Sequence, residues 1–475
     1  MKSTVKILVT LLLMGSYLQV HGQFSNEQMA GSWQGVLDAG STTLRIVFNL
    51  SLNDDLTWKA NMDSPDQGAM GIPLGEVNLK EDSIRIEAPG LLGYYIGKVL
   101  SSSLIEGEWH QAGRSFRLDL GKKNEAIVLN RPQEPRPPFP YKEEELSFQN
   151  NKQGFSLAGT LSIPEGEGPF PAAILISGSG SQNRDEEIFG HKPFKVIADY
   201  LTRNGIAVLR YDDRGVGESG GSAANATTAD LVTDARAAMD YLLARKDIDP
   251  ARVGLVGHSE GGMIAFILAS SQEKPAYLVS LAGPGVDGKT ILLDQAEKIA
   301  RLSGAMESIL EDNRYVMNEV YDIMIDKESY ESWKEKTLDF TSEFYSTKAV
   351  GTYSEEDIRR AQDNLVASIP ETYYAWMRYF VLFDPASLFT SINCPVLALN
   401  GEKDCQVLPE QNTRAIKTGL DQAGNTDSKI MILPGLNHLF QNCETGLPNE
   451  YGVIEETFDP ETLKIISDWI WQQVR

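Results

Sequence analysis

The sequence predicts an α/β protein: a mostly parallel sheet with helices on both faces, interrupted by a helical insertion and preceded by a small all-β domain. Three observations carry this. From residue 141 onward, short buried-type strands alternate with amphipathic helices, the pattern of a parallel sheet covered on both sides. Residues 24 to about 128 instead hold short runs of alternating polarity with no long helical period. Between the two lies Arg131-Pro-Gln-Glu-Pro-Arg-Pro-Pro-Phe-Pro140, whose five prolines in ten residues make a stiff, extended linker.

Length and composition bound the reading. The chain has 475 residues, 42% of them hydrophobic and 23% charged, enough for two domains and a large core. A net charge of −23 opposes binding to nucleic acid, which needs a basic surface, and to anionic lipid. Lys2 and Lys6, then the apolar run Ile7 to Met14, then Val20-His21-Gly22 read as a secretory leader. The run is too short to span a bilayer, so the mature chain is expected to start near Gln23 and to be exported without stable membrane insertion. Cys394, Cys405 and Cys443 are the only cysteines, too few for a disulfide framework.

In the first domain (23–130), strands are expected over 32–37, 44–50, 57–62, 77–79, 84–86, 104–109 and 115–120, separated by turns such as Asn53-Asp-Asp55 and Ala112-Gly113. So many short strands indicate a sheet, sandwich or small barrel. No candidate chemistry stands out in it, and its partner is left open. In the second domain (142–475), strands are expected at 145–148, 155–163, 172–177 and 206–210. A helix opens at Thr227 with Asp230 three residues on, a capping box. Strands follow at 253–257, 277–281, 395–400 and 429–433, with helices over 194–204, 409–423 and 461–473. Residues 284–388 break the alternation with charged, aromatic-rich amphipathic helices. They read as an insertion between two strands that acts as a lid.

The chemistry centres on Val253-Gly-Leu-Val-Gly257-His258-Ser259-Glu260-Gly261-Gly262. Small apolar residues lead into Gly-x-Ser-x-Gly, and an apolar segment follows: strand, sharp turn, helix. Such a turn lifts Ser259 off the sheet end. A serine hydroxyl needs a base in reach, and the base needs an orienting carboxylate. His438 follows the strand ending at Leu433, and Asp404 follows the strand ending at Asn400. All three then lie at the C-terminal edge of one parallel sheet, where such sheets place ligands. Glu402 is the rival acid. Of the other histidines, His258 is directed away by the turn, His110 lies in the β-domain, and His191 could line the site. The oxyanion donors are expected to be the Glu260 N–H and a second N–H from Ser177-Gly178-Ser179-Gly180, with Ser179 preferred over Gly178.

Residues 142–475 resemble bacterial α/β-hydrolases of the serine aminopeptidase-like and esterase D-like groups. The resemblance rests on Ser177-Gly-Ser-Gly180 with Asn183-Arg184-Asp185, on Tyr211-Asp-Asp-Arg-Gly-Val-Gly-Glu-Ser219, and on Gly257-His-Ser-Glu-Gly-Gly262. Pro395 to Asp404 and Gly435-x-Asn-His438 complete it. The order Ser259, Asp404, His438 is that of the α/β-hydrolase fold. The Gly31-x-Trp33-x-Gly35 and Gly107-x-Trp109 runs loosely resemble lipocalin-like β-domains that precede some secreted hydrolases. The resemblance implies carboxylesterase activity on a small-molecule ester, with Ser259, Asp404 and His438 catalytic, Ser179 and Glu260 at the oxyanion, and no cofactor or metal. The alternative is an exported peptidase acting on small peptides. Proline aminopeptidases typically carry tryptophan after the nucleophile, and Glu260 stands there instead. Asp213 and Arg214 are read as structural ion-pair residues. The loops of Cys405 and Cys443 should be neighbours, leaving either a disulfide between them or two free thiols.

Overall fold

In the computed structural model, residues 24–38, 43–53, 57–65, 69–91, 93–111, 114–123, 130–271, 274–347 and 354–475 are described. The expected leader, 1–22, residues 54 and 55 of the expected turn at 53–55, and the turn at 112–113 lie outside them. Among the described residues no helix is long and apolar enough to cross a membrane. The chain divides into two compact units, Met1–Val128 and Leu129–Arg475.

The first unit opens with a single helical turn, α1 (Asn26–Met29), capped by Ser25. Ten strands follow: β1 (Gly31–Asp38), β2 (Thr43–Leu52), β3 (Trp58–Ser64), β4 (Ala69–Pro73), β5 (Val77–Lys80), β6 (Ser83–Ala88), β7 (Gly93–Ser101), β8 (Leu104–Gln111), β9 (Arg114–Arg117) and β10 (Leu120–Lys123). They form one antiparallel sheet in the order β4-β3-β2-β1-β10-β8-β7-β6-β5, with β9 beside β8. This is a half-barrel around one core that includes Trp33, Phe48, Ile84, Tyr95 and Trp109. Buried Trp33 satisfies its indole by donating to the Met29 carbonyl at 2.7 Å. The strands β4 and β7 were not expected. Gly93 and Gly97 break the alternation of β7, and Gly97 lies against the Tyr95 and Ile105 side chains. The run expected at 115–120 is divided between β9 and β10.

In the second unit the proline-rich segment is not a free spacer. The buried Arg131 guanidinium donates to the carbonyls of Gly452 and Ile454, each at 2.9 Å, and of Phe189 at 3.0 Å. Gln133 donates to the Phe458 carbonyl at 2.7 Å. These bonds fasten the segment to the body of the unit, which a composition-based reading of prolines could not register.

The sheet that follows has eight strands: β11 (Tyr141–Asn150), β12 (Phe155–Pro164), β13 (Phe170–Ile176), β14 (Ala207–Tyr211), β15 (Ile248–His258), β16 (Leu278–Leu281), β17 (Val396–Gly401) and β18 (Ser428–Leu433). Their order is β11-β12-β14-β13-β15-β16-β17-β18. The first two are joined as an antiparallel hairpin, β12 pairs antiparallel to β14, and the remaining pairs are parallel. One face packs on α3 (Thr228–Leu243), α4 (Glu260–Ala269) and α11 (Pro409–Gln422), the other on α2 (Pro193–Arg203) and α12 (Pro460–Val474). The expected capping box of Thr227 and Asp230 is present at the start of α3. The central strands are buried on both faces, which is why they read as continuous apolar runs. The architecture is that of an α/β-hydrolase.

The insertion lies between β16 and β17. It comprises α5 (Gly288–Leu302), α6 (Glu307–Asp326), α7 (Tyr330–Ser346), α8 (Glu355–Ser368), α9 (Glu371–Leu382) and the short α10 (Ala386–Phe389). Its helices share a small core of their own, including Val320, Met324, Trp333 and Tyr374.

Candidate active site

Ser259 sits between the end of β15 and the start of α4 with φ 51° and ψ −118°. A non-glycine residue there is strained, at a cost of about 1–3 kcal/mol that the surroundings must impose. Three contacts impose it. The Ser259 N–H donates to the Leu281 carbonyl at the end of β16, at 2.8 Å. A methyl on Gly257 would overlap the Gly261 carbonyl, and one on Gly261 would overlap the Ile176 carbonyl at the end of β13. The turn is therefore as tight as backbone packing allows, and only glycine on both sides of Ser259 permits it.

The base and acid candidates meet as their strands direct. His438 Nδ1 lies 2.8 Å from Asp404 Oδ2. Asp404 is buried and fully occupied: Oδ1 accepts from the Gln406 and Val407 N–H groups at 2.8 and 2.9 Å, and Oδ2 also accepts from Asn400 Nδ2 at 3.1 Å. A carboxylate so engaged fixes Nδ1 as the protonated nitrogen and leaves Nε2 as a base. The rival Glu402 is exposed and accepts from the Gly435 N–H instead. The His438 and Ser259 positions are linked through His258, whose ring lies 4.8 Å from that of His438.

The loops around Asp404 and His438 are neighbours, but no disulfide joins them. All three cysteines are free. Cys405 Sγ donates to the Gly446 carbonyl at 3.1 Å and Cys443 Sγ to the Gly435 carbonyl at 3.4 Å. Lys403 Nζ ties the two loops by donating to the Cys443 carbonyl at 2.7 Å. Burial raises the Cys405 thiol to about 12 and the Cys443 thiol to about 11, so neither is a ready thiolate.

The loop after β13 comes up against the serine: a methyl on Gly178 would sit 3.2 Å from Ser259 Cβ. The Gly178 N–H is already used, donating to Glu186 Oε1 at 2.7 Å. The Ser179 and Glu260 N–H groups have no acceptor among the described residues. That leaves Ser179 rather than Gly178 as the second donor available to an anion. The loop is held rigidly. Arg184 Nη2 and Nε donate to the two Asp212 oxygens at 2.7 and 3.2 Å, and Nη1 reaches Thr160 and Glu145. Asp185 pairs with Arg210.

Asp213 and Arg214 do not pair with each other. Arg214 Nε donates to Asp234 at 2.7 Å. Asp213 accepts from the Ser177 hydroxyl and the Gln182 N–H, each at 2.9 Å, and lines the cavity. Burial raises its carboxyl to about 7, against partial relief from those two bonds.

A cavity of about 260 Å³ is lined by Ser179, Asp213, Glu260, Leu231, Tyr373 and Trp376, among others, and so reaches the residue that follows Ser259. Trp376 comes from α9 of the insertion. Its indole Nε1 donates to Glu260 Oε1 at 2.8 Å, and the Thr228 hydroxyl donates to the same oxygen at 2.6 Å. The other oxygen, Oε2, is buried without a partner. Burial raises the Glu260 pKa, and the two hydrogen bonds offset part of that. The side chains of Glu186, Glu260 and Trp376 were not singled out from the sequence. Only the length of the Asn183-Arg-Asp-Glu-Glu187 run hinted that the loop carried more than its glycines.

His191 does not line the site. Its Nδ1 meets Thr457 Oγ1 and its Nε2 the Tyr451 carbonyl, both at 2.9 Å, and burial with Arg131 nearby pushes its pKa down to about 4. His110 stacks on Tyr94 in the first unit, ring centroids 4.6 Å apart. Among the described residues no group of three or more His, Cys, Asp or Glu side chains is arranged to hold a metal ion.

Residues 192–444 match the model of the Hydrolase_4 family, serine aminopeptidase S33, over more than half of the chain. The chain belongs to this family. Among curated proteins, esterase EstD of Thermotoga maritima is 29% identical over 296 residues, covering 62% of this chain and 61% of that esterase. The match therefore spans about three fifths of the esterase's length. An uncharacterised 31.7 kDa protein of Escherichia coli is 25% identical over 270 residues, 56% of this chain and 84% of its own. Among solved structures, a Pyrococcus furiosus esterase gives a TM-score of 0.43 at 13% identity, covering 74% of this chain and all (100%) of that one.

Proposed function

We propose that this family member is an exported serine esterase that cleaves small carboxylic esters through Ser259, His438 and Asp404. The observation that carries the reading is the 2.8 Å pairing of His438 Nδ1 with a fully hydrogen-bonded Asp404, at the same sheet edge as the strained Ser259. In the proposed cycle Ser259 Oγ attacks the ester carbonyl as its proton passes to His438 Nε2. Asp404 stabilises the imidazolium, and the Ser179 and Glu260 N–H groups hold the oxyanion. Collapse releases the alcohol, protonated by His438. Water, deprotonated by His438, then hydrolyses the acyl-enzyme. These groups need no metal or cofactor. Export rests on the leader-like residues 1–22.

The likeness to an esterase over 62% of the chain supports an ester substrate. A second reading, hydrolysis of small peptides, is favoured by the family's description and by the two buried acids, Asp213 and Glu260, in the cavity wall. Both readings are tested by incubating pure enzyme with p-nitrophenyl esters of graded length, acetylated and feruloylated sugars, and aminoacyl amides. Faster turnover of short esters supports the esterase. Turnover confined to the amides supports the peptidase. A fluorophosphonate probe that fails to label Ser259 in the folded protein overturns both.

A further inference from the structure

We infer that Glu186 and His258 form a buried ion pair that positions the oxyanion loop and the His438 loop around Ser259, the two acting as positioning residues for the proposed ester hydrolysis. The inference rests on that reading of Ser259 and goes beyond it by assigning work to two groups outside the triad.

The geometry is a chain of hydrogen bonds through three loops. Glu186 Oε1 accepts from the Gly178 N–H at 2.7 Å and lies 2.9 Å from His258 Nδ1. His258 Nε2 lies 3.0 Å from the backbone carbonyl of His438. Glu186 is 4% exposed and His258 7%, so water screens neither. Glu186 adopts a left-handed backbone conformation, φ 50°, uncommon for a residue with a side chain. Strain of this kind persists only where the surroundings over-determine it.

The partners also fix the protonation state. A carboxylate and a peptide carbonyl are both acceptors only, so both ring nitrogens of His258 must donate. The ring is an imidazolium. Burial by itself would discharge it, but the Glu186 carboxylate, the His438 carbonyl and Asp404 outweigh burial and raise its pKa above the ordinary value. The ionisable groups around it are Glu186 beyond β13, Asp404 beyond β17 and His438 beyond β18. The α2 helix and β16 present Pro193, Phe194, Ile197 and Leu281. The pair is neutral overall, and the His258 ring lies 4.8 Å from that of His438. Occupying the Gly178 N–H also turns the loop so that the next N–H, that of Ser179, is the free one.

Glu186→Gln tests this, being nearly isosteric. A neutral amide cannot hold the imidazolium charged: with its oxygen at the Oε1 position a neutral His258 has no second N–H for the His438 carbonyl, and with its NH2 there a donor faces the Gly178 N–H, so one of the links must break. The expected result is a fall in kcat of about 10- to 100-fold with KM little changed, the effect of a small misplacement of catalytic groups. In the wild-type protein, nitrogen NMR should find both His258 nitrogens protonated at neutral pH, and in the variant only one. The wild-type spectrum needs no variant to fold. Ser259→Ala with near wild-type activity would overturn the esterase reading itself. With Ser259→Ala inactive, a Glu186→Gln enzyme of wild-type kcat, or a singly protonated His258 in the wild type, overturns this inference alone.

Discussion

His438 Nδ1 and Asp404 Oδ2 stand 2.8 Å apart, and Asp404 spends its other acceptor positions on three further donors. Oδ2 accepts only from the imidazole N–H and, at the longer 3.1 Å, from Asn400 Nδ2. The pairing therefore sets the tautomer of the base and not merely its position. Asp404→Asn replaces an acceptor with an amide that can present N–H to Nδ1 and turn the tautomer over. The expected loss is roughly a thousandfold to ten-thousandfold in kcat, with the fold intact. Steady-state hydrolysis of a p-nitrophenyl ester measures it. A loss below about tenfold would remove Asp404 from this role.

The turn at Ser259 depends on bare backbone contact between Gly261 and Ile176. Gly261→Ala puts a methyl onto a carbonyl oxygen that cannot move without shifting β13. This should destabilise the protein by about 1–3 kcal/mol, read as a lower urea midpoint, and abolish labelling of Ser259 by a fluorophosphonate. Retention of both would show that the turn can relax.

Trp376 reaches from the insertion to the first residue of α4, donating to Glu260 Oε1 at 2.8 Å. Trp376→Phe keeps an aromatic ring in the cavity wall and deletes that donor. The lost bond should cost about 1 kcal/mol of stability. Because the residue lines the cavity rather than the reacting atoms, KM should rise more than kcat falls. Equal loss of both would move Trp376 into the transition-state contacts.

Asp213 gives a pH signature. Burial raises its carboxyl from 3.8 to about 7, so the folded state binds this proton more tightly than the unfolded state. Its contribution to stability is complete below the unfolded value and is lost as pH rises through the folded one. Wild-type stability should thus decline relative to Asp213→Asn between about pH 4 and about pH 7. Urea midpoints across that range measure the difference. A constant difference would mean Asp213 titrates normally.

The parts of the site most legible in the sequence were those fixed by strand ends. Ser259, Asp404 and His438 each follow an apolar run by a few residues, so a parallel sheet brings them to one edge wherever the helices go. Ser179 was legible for a similar reason. What stayed hidden depends on side chains meeting across irregular loops. Glu186 acts through a strained backbone that no periodicity announces. Arg214 forms the structural ion pair expected of it, with Asp234, whereas Asp213 has no ion-pair partner among the described residues and accepts from Ser177 and Gln182 instead. Arg131 made the proline-rich segment part of the second unit. The thiols of Cys405 and Cys443 lie in neighbouring loops but satisfy different carbonyls.

The central claim is that Ser259 carries the reaction. Ser259→Ala removes one oxygen from a residue whose backbone is held by Leu281 and the flanking glycines, so the fold should survive. Hydrolysis of p-nitrophenyl acetate by the folded variant should fall by about a million-fold, to the residual rate the remaining site supports. A variant that cleaves the ester at a rate near that of the wild type would contradict the account.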